Sequence, residues 1–406
     1  MKHIVIIGGG AAGLVSAIYA KNETTKVTIL ERNSACGKKL LATGNGKCNY
    51  WNSDQSLEHY HSNDEIYLKD IITEENKQEI LSLFSTLGVY PKIKNGYYYP
   101  YSNQATTIKN VLLYEIERKN INIKQDFLVE EIKKIDGIFE LHSKNEIITA
   151  DKVIIATGSY ASPKTGSDGF GYKVLKSFGH SINKPLPALV QLKTTGNFLK
   201  QWAGIRTDVE LSLYENNDLL KKENGEIQLT NYGISGICVF NLSRYVSIGL
   251  SQNKQETIEI NFLPFIRENP KNYLVEFFKK TTIKPIKEQL EGFLNNKLVD
   301  VILTEAKIDK TKSFNDLNDS EQQNIVNFLT AFKVEILGTN SFEQAQVCTG
   351  GIPLTEINIK NMESKIIKDL YIVGELLDVD GDCGGYNLSF AWISGMLAGK
   401  GSISND

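Results

Sequence analysis

The chain has 406 residues, with 45 basic and 48 acidic side chains, and its net charge is −3. This near balance excludes a global electrostatic attraction to nucleic acid or to an anionic membrane, although it leaves room for a local patch. Five cysteines stand at scattered positions without C-x-x-C or zinc-ligand spacing, which indicates a reducing compartment and predicts no disulfide scaffold and no metal site. No apolar run is long enough for a membrane span, so we expect a soluble cytoplasmic protein.

The N-terminal segment carries the strongest local signal. A strand-like segment over residues 2–7, with β-branched residues at 4–7, enters a Gly-Gly-Gly-Ala-Ala-Gly stretch at 8–13, and helical spacing continues to residue 20. A second strand over residues 27–30 ends at Glu31, 18 residues after the last glycine. This is G-x-G-x-x-G between a strand and a helix, followed by an acid at the expected distance, and it predicts a dinucleotide site.

Each part of this fingerprint has a physical task. Gly8 allows a tight turn, Gly10 leaves the backbone open to a pyrophosphate, and Gly13 lets the helix pack close to the strand. The start of the helix offers unpaired N–H groups and a positive dipole end to phosphates. Glu31 is placed to accept a hydrogen bond from a ribose hydroxyl, which fits an adenosine without a 2′-phosphate.

Predicted elements follow in chain order. Helices are expected within residues 64–89 and over 105–119, and strands near 121–124, 128–135, 138–143 and 152–156. Residues 189–265 alternate like strands, with turn signals at 215–218 and 223–226, and indicate an antiparallel sheet or barrel. Residues 268–333 are helical and charge-rich, which favours solvated helix surfaces over a nucleic-acid face. The α/β pattern then returns, with a strand over 370–375 and a last helix over 388–398.

Three later segments have the chemistry of a flavin site. Ala156-Thr157-Gly158 ends a strand in small residues that would admit the adenosine half of the cofactor. Gly374-Glu375 follows a strand and offers a carboxylate to a ribityl hydroxyl. Gly384 to Asn387 precede the last helix, whose N–H groups and dipole suit the electron-rich pyrimidine edge of a flavin. The alternative for residues 156–158 is an ordinary tight βα turn, and the alternative for residues 384–387 is a glycine-rich helix entry with Asn387 as the N-cap of the last helix.

Five motifs together resemble the BaiN-like family of bacterial FAD-dependent flavoproteins, which also includes aminoacetone-oxidase-like enzymes. They span nearly the whole chain in the expected order. The motifs are VIIGGGAAG at 5–13, GKKLLATGNGKCN at 37–49, TGSDG at 165–169, TGGIP at 349–353 and VGELLDVDGDCGGYNL at 373–388.

The resemblance implies an interrupted FAD domain, a β-rich middle domain with a small helical domain inserted in it, and a cofactor lined by the second motif. One departure is Lys47, where the family more often has arginine, because lysine cannot make a planar bidentate contact. The residues expected to bind the cofactor, from the motifs and the resemblance together, are Gly8, Gly10, Ala11, Ala12, Gly13, Glu31, Arg32, Lys39, Leu40, Thr43, Gly44, Asn45, Gly46, Lys47, Cys48, Asn49, Val129, Ala156, Thr157, Gly158, Gly374, Glu375, Asp380, Gly384, Gly385, Tyr386, Asn387 and Leu388.

The predicted fold class is α/β, with a Rossmann-like FAD-binding domain formed by both chain ends. The expected domains are residues 1–188 and 345–406 for FAD, 189–266 and 334–344 for the β-rich insert, and 267–333 for a helical subdomain. The substrate is expected to enter between the nucleotide domain and the insert, because domain interfaces are favoured ligand sites.

The predicted function is FAD-dependent transfer of a hydride to or from a small organic substrate. The catalytic residue is unassigned. Cys348 and Tyr386 are weak candidates, and the simpler explanation of Cys348 is a strand end before a turn. A second dinucleotide fingerprint is absent, so NAD(P)H, the favoured electron donor, would bind transiently over the flavin. Two alternatives stay open: a flavin oxidase that passes electrons from a small amine to O₂, and a flavoprotein that binds or modifies RNA. The oligomeric state is also open.

Overall fold

The computed structural model describes residues 1–281 and 284–404. Residues 282–283 of the predicted helical subdomain and 405–406 of the predicted C-terminal segment lie outside the described residues. The chain forms two compact units: a sheet unit of residues 1–186 and 346–406, and a barrel unit of residues 187–345. No helix in the described part of the chain combines the length and apolar character that crossing a membrane requires.

Helices and strands occur in both units. The helices are α1 (Ala11–Ala20), α2 (Leu68–Ile71), α3 (Glu74–Thr86), α4 (Ala105–Arg118), α5 (Phe170–Ser177), α6 (Leu199–Trp202), α7 (Ile237–Ser251), α8 (Pro270–Phe278), α9 (Ile286–Leu290), α10 (Asn296–Glu305), α11 (Asp319–Thr330) and α12 (Tyr386–Ile403). The strands are β1 (Lys2–Ile7), β2 (Thr25–Leu30), β3 (Trp51–Asn52), β4 (Tyr60–His61), β5 (Pro91–Lys94), β6 (Tyr97–Pro100), β7 (Asn122–Lys124), β8 (Glu131–Ile135), β9 (Ile138–His142), β10 (Ile147–Ala150), β11 (Lys152–Ile155), β12 (Asn183–Ala188), β13 (Leu192–Thr194), β14 (Arg206–Glu215), β15 (Asp218–Leu229), β16 (Gly233–Gly236), β17 (Glu256–Asn261), β18 (Phe332–Thr339), β19 (Val347–Gly351), β20 (Ile357–Asn358), β21 (Glu363–Ser364), β22 (Leu370–Ile372) and β23 (Asp380–Gly381).

The sheet unit is built on a sheet of order β20-β21-β22-β11-β1-β2-β7. Its central strands are parallel, with Val5 of β1 opposite Thr28 of β2 and Val153 of β11. Residues 4–7 of β1 are all buried, because a parallel sheet is covered on both faces and its strands are therefore continuously apolar. The predicted Rossmann-type parallel sheet is confirmed.

Two helices at opposite ends of the sequence pack tightly in this unit. A Cβ on Gly395 of α12 would lie 2.5 Å from the carbonyl oxygen of Ala12 in α1, and one on Gly399 would lie 2.6 Å from that of Ser16. Glycine is therefore required where the two helices meet. This contact fixes the C-terminal helix beside the N-terminal fingerprint, so that both chain ends contribute to one unit.

The barrel unit contains a closed barrel of order β13-β16-β15-β14-β17-β18. Its fully buried core includes Leu211, Ile227 and Ile258, and the same hydrophobic cluster continues into helices α8 to α11. Two local expectations were wrong. Residues 223–226 lie inside β15 instead of forming a turn, and α7 occupies residues 237–251, where strands were predicted.

The error at α7 has a physical cause. The helix is rich in β-branched residues and buries Cys238, Val239, Leu242 and Val246, a spacing of helical period inside a segment of high strand propensity. Propensity is a weak prior that tertiary packing overrides. The helix is covered by the barrel strands, so its apolar surface is satisfied in a way that the local sequence does not reveal.

A buried carboxyl in the barrel unit makes stability depend on pH. The Glu256 side chain is 1% exposed, and neither carboxyl oxygen has a hydrogen-bond partner in the described structure. Burial, and secondarily the nearby Glu215 carboxylate, raises the pKa of Glu256 from 4.5 to about 7. The folded state therefore disfavours the ionised form, and the free energy of unfolding should fall as pH rises from about 4.5 to 8.

We expect Glu256→Gln to remove this pH dependence, because glutamine stays neutral. The difference in unfolding free energy between the variant and the wild type should grow in favour of the variant by about 2–3 kcal/mol as the pH rises from 4.5 to 8. Urea unfolding at several pH values measures the difference. The control is Glu335→Gln, at an exposed position, whose free energy of unfolding should depend on pH as that of the wild type does. If Glu256→Gln also kept the wild-type pH dependence, the assignment would be contradicted.

Candidate flavin site

The glycine fingerprint follows β1 and opens α1. Gly8 has a φ of +104°, and a Cβ there would lie 2.4 Å from the carbonyl oxygen of Ala156, while a Cβ on Gly13 would lie 2.0 Å from that of Gly8. A Cβ on Gly10 would have no neighbour within 4 Å. The first and third glycines therefore allow close packing, and the second faces open space. Helix α1 begins at Ala11 without a side-chain cap, which leaves its first N–H groups available to an anion.

Glu31 lies directly after β2, is 6% exposed and already accepts three hydrogen bonds. Its Oε2 accepts from the Gly9 N–H at 2.8 Å, and its Oε1 accepts from the backbone and side-chain amides of Asn33 at 2.8 and 2.7 Å. Each carboxylate oxygen has two acceptor positions, so Oε2 keeps one for a further donor. The residue thus orders the fingerprint loop and retains capacity for a single ribose hydroxyl.

The TGSDG motif is tied to the end of β2. Arg32 Nη1 lies 2.5 Å from Asp168 Oδ2 and donates to the Gly166 carbonyl at 3.3 Å. The Asn33 side-chain amide donates to the Thr165 carbonyl at 3.0 Å. Nearby, the Phe127 N–H donates to the Glu31 carbonyl at 2.9 Å, and Val129 is buried two residues further on.

A second polar cluster joins three distant segments beyond the parallel strands. Lys39 Nζ lies 2.7 Å from Glu375 Oε2, and the Ser159 hydroxyl donates to Glu375 Oε1 at 3.0 Å. The Tyr172 hydroxyl donates to the Glu375 carbonyl at 3.0 Å. A Cβ on Gly158 would lie 2.4 Å from the Ser167 hydroxyl oxygen. The carboxyl ends of parallel strands form a shared edge where such sites assemble, and Lys39, Glu375 and the strand end at 156–158 are brought together there.

The GKKLLATGNGKCN segment has an unusual backbone and an orphaned polar atom. Gly44, Asn45 and Gly46 are consecutive left-handed residues, with φ of 55°, 52° and 81°, and Cys48 follows with 57°. The Thr43 hydroxyl donates to the carbonyl of the buried Leu40 at 2.6 Å, and the Lys47 side chain is exposed. Asn49 Oδ1 is buried with no hydrogen-bond partner in the described structure.

A buried oxygen without a donor requires an explanation. A flavin ring carries an N–H donor of the kind that Asn49 Oδ1 lacks, and open space borders Gly10 and Gly46 in the same unit. Glu31 Oε2 likewise keeps room for a hydroxyl donor. The residues present therefore fit a dinucleotide cofactor with a polar ring.

The loop before α12 is held by its own backbone and by β3. Gly384 and Gly385 have φ of +144° and +99°, and a Cβ on Gly385 would lie 3.0 Å from the Trp51 carbonyl oxygen. Helix α12 begins at Tyr386 with Gly385 as its N-cap, so Asn387 is not the N-cap that the alternative explanation of this loop required. The Asn387 side chain instead accepts a hydrogen bond from the Gly381 N–H at 2.9 Å and donates one to the Gly381 carbonyl at 2.7 Å. These two bonds close the turn over residues 381–387.

Both catalytic candidates are buried. Cys348 lies in β19 at 1% exposure, and burial, followed by the Glu375 carboxylate, raises the pKa of its thiol to about 11. Tyr386 is 4% exposed, and its ring stacks on His59 at 4.5 Å. Burial also raises the pKa of Tyr386 above its usual value. Both groups are held in their neutral forms.

His59 and Asp382, which were not among the predicted site residues, contact each other beside Tyr386. The signal was weak, because a lone histidine and a lone aspartate more than 300 residues apart have no shared spacing. Asp54, Glu58 and His59 also bring ligand atoms within 4.8 Å of one another. The Asp54 and Glu58 side chains are 58% and 77% exposed, and we assign no metal to this set.

The fold and the site define a Rossmann-type protein that binds a dinucleotide cofactor. The family described as HI0933-like protein Rossmann domain matches residues 2–401, and the chain belongs to this family of FAD-dependent oxidoreductases. The predicted family resemblance and the FAD-dependent class are thereby confirmed.

Several characterised proteins are similar over their full length. A 3-dehydro-bile acid delta(4,6)-reductase of Clostridium scindens is 36% identical over 403 residues, which is 98% of each chain. A ribosomal RNA dihydrouridine synthase of Escherichia coli is 27% identical, again over 98% of each chain. The solved 3-ketosteroid-delta4-(5alpha)-dehydrogenase of Rhodococcus jostii has a TM-score of 0.50 at 14% identity and covers 100% of this chain and 97% of its own. This last likeness concerns the fold alone.

Proposed function

We propose that the protein is an FAD-dependent reductase that saturates a carbon–carbon double bond conjugated to a carbonyl group, with NAD(P)H as electron donor. The observation that carries this proposal is the full-length similarity, at 36% identity, to a reductase whose name specifies double bonds of a 3-oxo compound. The name of the second relative points to the same reaction class, since dihydrouridine arises when the ring double bond conjugated to a uracil carbonyl is reduced.

The site residues have distinct proposed tasks. The open backbone at Gly10 and the uncapped start of α1 would hold the pyrophosphate, Glu31 the adenosine ribose, and Asn49 with the loop at 384–387 the flavin ring. FAD, when bound, supplies the hydride chemistry. The chain orients the cofactor through the Lys39–Glu375 cluster and provides the proton that a reduced double bond also requires.

The sequence bears on how NAD(P)H would bind as the proposed electron donor. A single G-x-G-x-x-G lies at Gly8, and FAD is the proposed occupant of that site. NAD(P)H would therefore reduce the flavin and dissociate before the substrate binds, so that the two molecules would occupy the same position over the flavin in turn. An oxidase of small amines remains the alternative with a distinct outcome in the same assay.

Anaerobic mixing tests the proposal. We expect NADH or NADPH to bleach the flavin absorbance, and a 3-oxo-delta4 steroid added afterwards to restore it in proportion to product formed. If neither nucleotide bleaches the flavin and a primary amine does, the oxidase is correct. Bleaching without reoxidation by any conjugated carbonyl compound would contradict the proposed substrate chemistry.

A second candidate is reduction of uridine in RNA, which is the activity for which the relative from Escherichia coli is named. The test is to incubate the holoenzyme and NADPH with an unmodified ribosomal RNA transcript and to measure dihydrouridine by mass spectrometry of nucleosides. Dihydrouridine in the RNA, together with no turnover of the steroid, would replace the small-molecule substrate with RNA while keeping the reaction class.

A further inference from the structure

Asp382 links two histidines beside the last glycine loop. Its Oδ2 lies 3.1 Å from His59 Nδ1, and its Oδ1 lies 3.0 Å from His61 Nε2. Its own N–H donates to the His59 carbonyl at 3.0 Å. Carboxylate oxygens can only accept, so the ring nitrogen of His59 that faces Asp382 carries a proton. The carboxylate therefore fixes both the orientation and the tautomer of the His59 ring.

The rest of the His59 ring has a different environment. Its plane stacks on Tyr386 at a centroid distance of 4.5 Å and an angle of 18°. Its Nε2 lies 3.4 Å from Asp54 Oδ2 and 4.0 Å from Glu58 Oε1, both on exposed side chains. The His59 side chain is 26% exposed, whereas that of His61 is 8% exposed. His59 is thus the member of the pair that can exchange a proton with solvent.

Backbone pairing places this histidine next to the proposed flavin loop. Strands β4 and β23 pair with His61 opposite Asp380 and Tyr60 opposite Gly381. The segment that carries His59 is therefore fixed to the segment that leads into Gly384 and Gly385. A ring held from one side by a carboxylate and from another by an aromatic face has the fixed geometry that a general acid needs.

We propose that His59 is the proton donor of the reduction and that Asp382 is its positioning residue. This assignment rests on the proposed function. Hydride from the reduced cofactor adds to the β-carbon of the conjugated double bond, and the α-carbon takes a proton from His59 Nε2. A C–H bond forms as the N–H bond breaks, the nitrogen keeps the electron pair, and the partly exposed ring takes a new proton from solvent.

The two half-reactions separate this role from others. In stopped flow, NAD(P)H should reduce the flavin of the His59→Gln variant at a rate within about twofold of the wild type. Reoxidation of that flavin by a 3-oxo-delta4 steroid should slow by about 10²–10⁴-fold. The matched control is His142→Gln, because His142 also sits beside a carboxylate, Glu140, at 3.1 Å. That variant should match the wild type in both half-reactions.

The pH profile and the stereochemistry supply further tests. Wild-type reoxidation should slow as the pH rises, because only a protonated imidazole donates; the groups that face His59 are Asp54, Glu58, Asp382 and Tyr386, with His61 behind Asp382. His59→Gln should lose this dependence. In D₂O the wild type should place deuterium on one face of the α-carbon, and His59→Gln on both faces.

A spectroscopic measurement needs no turnover. Long-range ¹H–¹⁵N spectra should show a proton on His59 Nδ1 in the wild type, and Asp382→Asn should change that tautomer and slow reoxidation.

If the wild type transfers electrons to no conjugated carbonyl compound, the proposed function fails and this assignment falls with it. If the wild type turns over and His59→Gln reoxidises equally fast with the same stereochemistry, only the assignment of His59 is overturned. Loss of FAD from His59→Gln would also overturn it, since it would show a structural role.

Discussion

Gly385→Val should be purified with at least tenfold less bound flavin than the wild type. Gly385 has a φ of +99°, which a β-branched residue resists at a cost of roughly 1–2 kcal/mol. A Cβ there would also lie 3.0–3.2 Å from the Trp51 backbone, so the loop over 384–387 must shift away from β3. The proposed flavin-ring contacts and the start of α12 would move with it. The flavin-to-protein absorbance ratio and an FAD titration of the apoprotein measure the loss.

The strain of a positive φ can be separated from the position of the loop. Gly137 lies in the turn between β8 and β9 with a φ of +85°, and a Cβ there would have no neighbour within 4 Å. Gly137→Val therefore carries similar strain and should keep its flavin, as should Lys310→Ala, which removes a half-buried ion pair with Asp300. Normal flavin content in Gly385→Val would refute the placement of this loop at the cofactor.

The sequence was most informative where one short segment carries its own context. The strand, the three glycines, the helix and Glu31 lie within 31 residues, and local sterics dictate their arrangement. The positive φ at Gly8 and the close packing at Gly13 follow directly from the spacing. The parallel sheet was predictable for the same reason, because continuous apolar strands such as residues 4–7 need cover on both faces.

Features that depend on distant contacts were not predictable. Helix α7 has strand propensity and forms because the barrel covers its apolar surface. The pairing of His59 with Asp382 depends on the register of β4 with β23, which joins residues more than 300 positions apart. Glu31 shows the same limit at short range: its spacing suggested a ribose contact, but not the three hydrogen bonds by which it also orders Gly9 and Asn33.

Glu31→Ala should weaken FAD binding about tenfold to hundredfold. The proposed ribose hydrogen bond to a charged acceptor contributes roughly 1.5–3 kcal/mol, and each factor of ten in the dissociation constant corresponds to about 1.4 kcal/mol. Glu31→Gln should be intermediate, because the amide retains one acceptor oxygen where the carboxylate has two. Fluorescence titration of each apoprotein with FAD gives the dissociation constants, and urea unfolding of the same apoproteins reports any loss of stability.

Asn33→Ala distinguishes a direct ribose contact from an effect on the loop. It removes the side-chain bonds to Glu31 Oε1 and to the Thr165 carbonyl, at 2.7 and 3.0 Å, while leaving the carboxylate in place. If Glu31 binds the ribose, Asn33→Ala should lower FAD affinity by less than Glu31→Ala does, because the carboxylate keeps its bond from the Asn33 N–H and its free acceptor position, and the variant acts on loop order alone. An equal loss in Asn33→Ala and Glu31→Ala would mean that Glu31 acts by holding the loop. Unchanged affinity in Glu31→Ala would mean that its free acceptor position faces no cofactor hydroxyl, and the adenosine would then have to be placed elsewhere along the carboxyl edge of the sheet.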